Sequence, residues 1–169
     1  MNAVASHRRD RPLSVRLQHA IEMLQRIPHS AIAVIGRISI ALTFWMSGQT
    51  KIEGLVIDPV SRTVELGWPR VTAEAIELFA SEYMLPLIPP APAATLAAIA
   101  EHVFPLLLLI GLGTRLSALA LLVMTLVIQV FVYPGAFATH GVWATVLLYL
   151  IARGPGMLSL DHLTAPRLR

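Results

Sequence analysis

Four long apolar stretches, separated by polar segments, limit what this chain can fold into. An α-helix rises about 1.5 Å per residue, so that about 20 residues cross the roughly 30 Å hydrocarbon core of a lipid bilayer. The stretches therefore predict an all-α fold, an integral membrane bundle of four helices. The predicted spans cover about residues 31–50, 93–112, 115–133 and 138–153.

The composition favours a membrane protein over a soluble one. Hydrophobic residues make up 56% of the 169 residues and charged residues only 14%, whereas an ordinary soluble protein carries about 25% charged residues. The chain contains no cysteine, which excludes a disulfide, a thiolate nucleophile and a metal site built on sulfur. Any redox chemistry would therefore need a bound cofactor or a partner protein.

The polar segments predict how the rest of the chain is arranged. Residues 1–30 form a basic segment, and residues 13–27 within it have the pattern of an amphipathic helix on the membrane surface. Charged residues interrupt this segment, so a cleaved signal peptide is not expected. The segment 51–91 is too polar for a span and is predicted to be a long extracytoplasmic loop, with a helix capped by Thr72. The remaining parts are a membrane domain at 31–161 and a tail at 162–169.

The distribution of basic residues predicts the orientation in the membrane. Most of the lysines and arginines lie in the N-terminal segment, in the turn after the second span and in the tail. The positive-inside rule then places both termini in the cytoplasm. The net charge of +3 is small, and no basic stripe with interleaved aromatic residues occurs, so a nucleic acid is not an expected partner.

Two ionisable residues inside the predicted spans need partners. Arg37 lies in the first span and Glu101 in the second, and an unpaired charge at the bilayer centre is costly. Counted from the ends of their spans, the two residues come to similar heights, so an Arg37–Glu101 ion pair is expected. Two interpretations stay open. The pair fixes helix packing, or it lines a polar pocket in which Glu101 and the neighbouring His102 handle protons.

The outer end of the first span carries a second group of polar residues. Trp45, Gln49 and Lys51 lie there, and Gln129 is expected at a similar level on the third span. With Arg37 they form a candidate pocket for a quinone-like head group, although interfacial anchoring is the favoured explanation for the outer residues. Gly48 is assigned a structural role because a small residue lets a neighbouring helix approach closely. His102 and His140 are expected to lie too far apart to share a metal ion, so no metal site is predicted.

Several short motifs, in order along residues 34–161, resemble the DoxX family of small bacterial inner-membrane proteins. The first span contributes Gly36-Arg37, Phe44, Gly48 and Lys51, the second Glu101, and the next turn Gly-Leu-Gly-Thr-Arg at 111–115. Tyr-Met-Leu-Pro at 83–86 and Gly-Pro-Gly-Met-Leu-Ser-Leu-Asp at 154–161 resemble a subgroup with a long first loop. The resemblance implies a four-helix membrane bundle in the bacterial inner membrane. It also implies site or structural roles for Arg37, Lys51, Glu101 and Arg115.

Three classes of function remain open at this point. Relatives in the family include a subunit linked to thiosulfate oxidation with quinone as acceptor, so the first hypothesis is a membrane subunit of a redox system, with quinone as the candidate cofactor. The second is a non-enzymatic scaffold or assembly factor that docks a partner through the loop 51–91. A small transporter is the third and is disfavoured, because the chain shows no inverted repeat. A protein partner or a homo-oligomer is expected in each case.

Overall fold

The computed structural model describes residues 13–164, except for the side chains of residues 13–16 and 20. Within these residues, four helices are long and apolar enough to cross a membrane, as predicted. Residues 1–12 of the basic N-terminal segment and residues 165–169 of the predicted tail lie outside the described residues. The membrane helices are α2 (His29–Gln49), α4 (Pro90–Ile110), α5 (Thr114–Val127, continued by a π-helical turn Ile128–Val132) and α6 (Phe137–Arg153, preceded by a 3-10 turn Pro134–Ala136).

The four membrane helices pack side by side around one core. Helix α2 contacts α4 and α6, and α5 contacts the same two helices. Leucine, isoleucine and phenylalanine side chains fill the centre, and small alanines let the helices approach closely. The fully buried members of this core are Ala33, Ala41, Phe44, Leu108, Ala118, Leu121, Leu147 and Leu150.

The outward faces of these helices carry large apolar side chains. Ile35, Leu116, Val130 and Leu148 are all more than half exposed. A soluble protein seldom exposes so much contiguous apolar surface, whereas lipid tails cover such a surface without cost. The bundle is therefore built to face lipid.

The prediction of an all-α fold is wrong in the segment between α2 and α4, because this segment contains a β-hairpin. Strands β1 (Ile52–Asp58) and β2 (Thr63–Val71) pair in antiparallel register, with Leu55 opposite Leu66 and Ile57 opposite Val64. Sequence reasoning predicted a long loop with one helix here and no β-hairpin. The apolar alternation Val64, Leu66, Trp68 is the signal of a strand with one apolar face.

The hairpin leads into a short helix that returns the chain to the membrane helices. Helix α3 (Ala73–Leu78) is capped by Thr72, whose hydroxyl accepts a hydrogen bond from the Ala75 N–H at 3.1 Å. The predicted cap at Thr72 is thereby confirmed. A π-helical turn, Phe79–Tyr83, continues α3 and brings aromatic side chains against the start of α4.

Both ends of the described chain lie at the opposite end of the bundle. Helix α1 (Leu13–Gln25) occupies the predicted N-terminal helical segment, while its location on a membrane surface stays a prediction. After α6 the chain turns at Gly154, whose φ of +80° favours glycine. It then passes beneath the bundle to α7 (Leu160–Thr164).

Asp161, in α7, caps the start of α5 from this returning segment. Its carboxylate accepts hydrogen bonds from the N–H groups of Gly113 and Thr114, at 2.7 and 2.9 Å. Partial burial alone would raise the pKa of Asp161, but these hydrogen bonds and the nearby charge of Arg37 outweigh it and hold the pKa below its usual value. The carboxylate is therefore ionised at neutral pH and satisfies the start of α5.

Candidate functional site

A buried ion pair between Lys51 and Glu101 forms the centre of the candidate site. Lys51 Nζ lies 2.7 Å from Glu101 Oε2, and the two residues are only 4% and 3% exposed. Ser47 joins them, because its hydroxyl donates to Glu101 Oε1 at 3.3 Å while Lys51 Nζ donates to the Ser47 hydroxyl and carbonyl oxygens at 3.0 and 3.1 Å. Lysine, serine and glutamate thus form one small polar cluster between α2 and α4.

The close approach of α2 to α4 at this level depends on Gly48. A Cβ atom added there would lie 2.8 Å from His102 Cε1 and 3.0 Å from Glu101 Cβ. These separations are too short for ordinary contact, so no larger residue fits without displacing α4. The structural role predicted for Gly48 is consistent with this geometry.

The prediction of an Arg37–Glu101 ion pair is wrong, because Glu101 pairs with Lys51. Helices α2 and α4 run antiparallel and meet at Gly48 and Glu101, so that Arg37 lies level with Gly111 at the far end of α4. Ten residues of helix separate Glu101 from Gly111, which is a height of about 15 Å. Counting from span ends failed because side-chain packing, and not span length, sets the relative height of two helices.

Arg37 instead holds the returning C-terminal segment against the bundle. Its Nη2 donates to the Leu158 carbonyl oxygen at 2.6 Å, and Gly111 leaves the space that the guanidinium occupies. Arg37 is buried, and its charge acts on Asp161. Arg37 is therefore remote from Lys51 and Glu101.

His102 lies beside the ion pair in a fixed orientation. Its Nδ1 is 2.7 Å from the Ala98 carbonyl oxygen, and its Nε2 is 2.8 Å from Gln49 Nε2. The Ile57 N–H donates to Gln49 Oε1 at 2.7 Å, so the Gln49 amide group donates to the imidazole. This chain of bonds identifies a neutral His102 with its proton on Nδ1.

Trp45 connects the same group to the hairpin. Its indole N–H donates to the Ile57 carbonyl oxygen at 2.8 Å, and its ring meets the His102 ring edge-on with centroids 4.9 Å apart. Strand β1 therefore fixes both Trp45 and Gln49. Together the two side chains cover His102 at the hairpin end of α2.

Gln129 lies in a second polar group with His140. The Gln129 amide donates to the Pro134 carbonyl oxygen at 2.6 Å, and its oxygen accepts from His140 Nδ1 at 2.7 Å. Sequence reasoning named Gln129 as a candidate but assigned His140 no role in the pocket. The structure buries His140 and directs it into the interior of the bundle.

A cavity of about 460 Å³ lies in the half of the bundle nearer the hairpin and is bordered by Lys51, Glu101 and His140. Its walls are mostly apolar, and its polar lining residues are Thr43, Ser47, Lys51, Glu101, His140, Tyr83 and Tyr133. Tyr83 and Tyr133 pack edge-on with centroids 5.9 Å apart, and the Tyr133 hydroxyl donates to Glu82. An apolar cavity with a few polar groups has the character of a small-molecule site.

One polar atom in this cavity has bonding capacity to spare. Glu101 Oε2 lies at ion-pair distance from Lys51 but accepts no well-directed hydrogen bond from any described residue. A carboxylate oxygen accepts more than one hydrogen bond. The cavity therefore offers an acceptor beside a cation at one end and apolar walls elsewhere, an arrangement suited to an amphipathic molecule.

The structure brings together only part of the residues singled out from the sequence. Trp45, Gly48, Gln49, Lys51, Glu101 and His102 lie in one region between α2, α4 and β1, Gln129 lies with His140, and Arg37 and Arg115 lie toward the other end of the bundle. Sequence reasoning missed Ser47, although it precedes Lys51 by one helical turn. It also missed Tyr83 and Tyr133, because contacts between distant segments leave no local pattern.

No group of three or more histidine, aspartate or glutamate side chains within the described range 13–164 could hold a metal ion.

The family comparison concerns the same part of the chain as most of the cavity. The DoxX family model matches residues 32–134, which include α2, the hairpin, α4 and α5. No curated protein and no solved structure matches the chain. With a family match over more than half of its length and four apolar membrane-length helices, the chain is a multi-pass membrane protein of the DoxX family.

Proposed function

We propose that this protein is the membrane subunit of a redox system, resident in the bacterial inner membrane with both termini in the cytoplasm, and that it binds a quinone-like molecule. The observation that carries the proposal is the apolar cavity with the Lys51–Glu101 pair in its wall. A quinone has the matching division into a polar ring and an apolar tail. Side chains of α4, α5 and α6 line the cavity and would contact such a tail.

The polar end of the cavity suits both forms of the head group. Glu101 Oε2 can accept from a quinol hydroxyl, and Lys51 can donate to a quinone carbonyl by giving up one of its bonds to Ser47. Interconversion of quinone and quinol moves two protons with two electrons. Since the chain has no cysteine, the electrons are assigned to a cofactor-bearing partner protein.

Glu101 and His102, the two candidates for proton exchange, are not equally suited to it. Glu101 lines the cavity, whereas both ring nitrogens of His102 are already hydrogen-bonded to Ala98 and Gln49. We therefore assign proton exchange to Glu101 first and an orienting role to His102. Gln49 and Trp45 on α2, both hydrogen-bonded to Ile57 of β1, support that orientation and do not line the cavity.

Filling the cavity tests the proposal. Ala97 lines it and Ile99 on the same helix faces outward, so Ala97→Phe is the test variant and Ile99→Phe the matched control. We expect a short-chain quinone to quench tryptophan fluorescence saturably through Trp143 in the cavity wall, in a Trp68→Phe background that removes the exposed indole. Ala97→Phe should weaken binding at least about tenfold, the effect of losing roughly 1.4 kcal/mol of contact.

The control separates binding from partitioning into detergent. Ile99→Phe should bind as the parent does. If quenching is linear and equal in the parent and both variants, the quinone only dissolves in the micelle and the proposed site is rejected. If Ala97→Phe and the parent saturate with the same affinity, the quinone binds elsewhere.

A membrane scaffold that docks a partner through residues 51–91 is the second candidate, and the hairpin favours it. Leu66 and Trp68 on β2 are 81% and 82% exposed, and within residues 13–164 the strand β2 pairs with β1 alone. An exposed apolar strand with a free edge can pair with a strand of another protein.

Polar substitution on this strand distinguishes the two candidates. We expect Leu66→Ser/Trp68→Ser to abolish co-purification of a cross-linked partner if docking is the function, while leaving quinone affinity within about twofold of the parent, since neither residue lines the cavity. Thr63→Ser/Glu65→Gln is the matched control on the same strand. Unchanged partner recovery in the Leu66/Trp68 variant would exclude the docking role for this strand.

A further inference from the structure

A second cavity, of about 530 Å³, lies at the end of the bundle remote from the hairpin. Its lining comes from the start of α2, the start of α5, the end of α6 and the returning segment before α7. Neither the quinone proposal nor the docking proposal uses any of these residues. This cavity therefore raises a separate question of binding.

The cavity concentrates positive charge. Arg115 and Arg153 both line it, and Arg115 lies against Gly154, with Nη2 3.6 Å from where a Cβ of that glycine would be. No carboxylate between residues 13 and 164 lies within 4.0 Å of either guanidinium group. Two arginines thus meet at one surface without a protein counter-ion in the described chain.

Asp161, the one acidic residue of the described chain in this lining, forms no ion pair with either arginine. Asp161 directs both carboxylate oxygens to the N–H groups of Gly113 and Thr114. Its carboxylate is therefore held at the start of α5 and lies beyond ion-pair distance of Arg115 and Arg153. The guanidinium groups remain available to an external anion.

A histidine nitrogen adds a further polar atom. His29 lines the cavity, and its Nδ1 is 2.8 Å from the Tyr149 hydroxyl. Its Nε2 is buried and has no hydrogen-bond partner among the described residues. When the Tyr149 hydroxyl donates to Nδ1, Nε2 carries the proton and has no acceptor among the described residues.

The rim of the cavity is apolar. Leu116 and Met157 line it and are 74% and 66% exposed, and α5 continues from Leu116 along the lipid-facing side of the bundle. A free phosphate would use the arginines but not this rim. A phospholipid would use both, with its phosphate at the arginines and its acyl chains along α5.

We propose that this cavity binds the phosphate group of an anionic phospholipid. Arginine guanidinium groups suit phosphate because their donors match its oxygens in pairs. Basic pockets between membrane helices on the cytoplasmic side of a membrane bind anionic lipid head groups, and this end of the bundle is the one proposed to face the cytoplasm. Here the ligand would bridge the start of α5 and the end of α6, and so join the returning segment to the bundle.

Native mass spectrometry of the detergent-solubilised protein tests the proposal. The probes are phosphatidylglycerol, phosphatidylcholine and inorganic phosphate, each added alone. The test variant is Arg115→Gln/Arg153→Gln, and the matched control is Arg62→Gln/Arg70→Gln on the exposed hairpin. We expect the parent and the control to bind phosphatidylglycerol roughly 30-fold more tightly than the test variant, from two lost charge contacts.

Three results would overturn the proposal. Equal binding of phosphatidylglycerol and phosphatidylcholine to the parent would show that binding does not depend on the net charge of the lipid head group. Unchanged phosphatidylglycerol affinity in the test variant would place the lipid elsewhere. Saturable binding of inorganic phosphate that prevents lipid binding would make the ligand a soluble anion. If the double variant does not fold, the single variants Arg115→Gln and Arg153→Gln replace it, each with an expected loss of about fivefold.

Discussion

Replacing either member of the Lys51–Glu101 pair alone is expected to destabilise the protein by about 3–5 kcal/mol, whereas replacing both is expected to restore most of that loss. The variants are Lys51→Met, Glu101→Leu and their combination. Each single change leaves one buried charge without its counter-ion, because both residues are almost fully buried. The double variant puts apolar side chains of similar size into the bundle. Titration with sodium dodecyl sulfate in mixed micelles measures the free energy of unfolding of each variant.

The hairpin offers a matched control for this cycle. Glu53 and Arg70 are register partners on β1 and β2 and are both exposed. Glu53→Leu, Arg70→Met and their combination should each change the free energy of unfolding by less than about 1 kcal/mol, as exposed charge pairs do. The buried pair would lose its assigned importance if Lys51→Met and Glu101→Leu behaved like these controls, or if the loss in the double variant equalled the sum of the single losses.

The second large effect is expected at Gly48, where Gly48→Ala should destabilise the bundle by about 1–3 kcal/mol and Gly48→Val by more. The added Cβ would meet His102 at 2.8 Å, and the hydrogen bonds to Ala98 and Gln49 prevent the ring from moving aside. Relief would require α2 and α4 to separate. That movement would also lengthen the Lys51–Glu101 contact.

Gly141 on α6 provides the comparison for this substitution. A Cβ there would have Phe137 as its nearest neighbour, at an ordinary 3.7 Å. Gly141→Ala should therefore be neutral or stabilising by up to about 1 kcal/mol, the intrinsic helix preference of alanine. Thermal unfolding of both variants in the same detergent decides the matter. Equal midpoints for Gly48→Ala and Gly141→Ala would contradict close packing at Gly48.

The sequence predicted the membrane helices well because their signal is local. Each span needs only enough consecutive apolar residues to cross the bilayer, and α2 and α4 lie within about three residues of their predicted bounds. The hairpin was harder to predict because a two-stranded sheet with one apolar face gives a short pattern. Trp68 and Leu66 carried that pattern, but a loop at an interface could have contained the same residues.

The partner of Glu101 could not be obtained by counting residues. Relative helix height depends on which small residues meet, and here Gly48 places Glu101 beside Lys51. Lys51 itself was predicted at the outer rim, where a lysine would extend toward water. It turns inward because Ser47 and Glu101 satisfy its ammonium group. Arg37 likewise found a partner in Leu158, a residue far along the chain.

The central claim is that the head group of a quinone binds at the Lys51–Glu101 pair, and the affinity of the Lys51→Met/Glu101→Leu variant tests it most directly. This variant is expected to remain folded, so its binding reports on the site and not on the bundle. Titration with a short-chain quinone in the Trp68→Phe background should give a dissociation constant at least about tenfold weaker than that of the parent. A dissociation constant equal to that of the parent would contradict the claim.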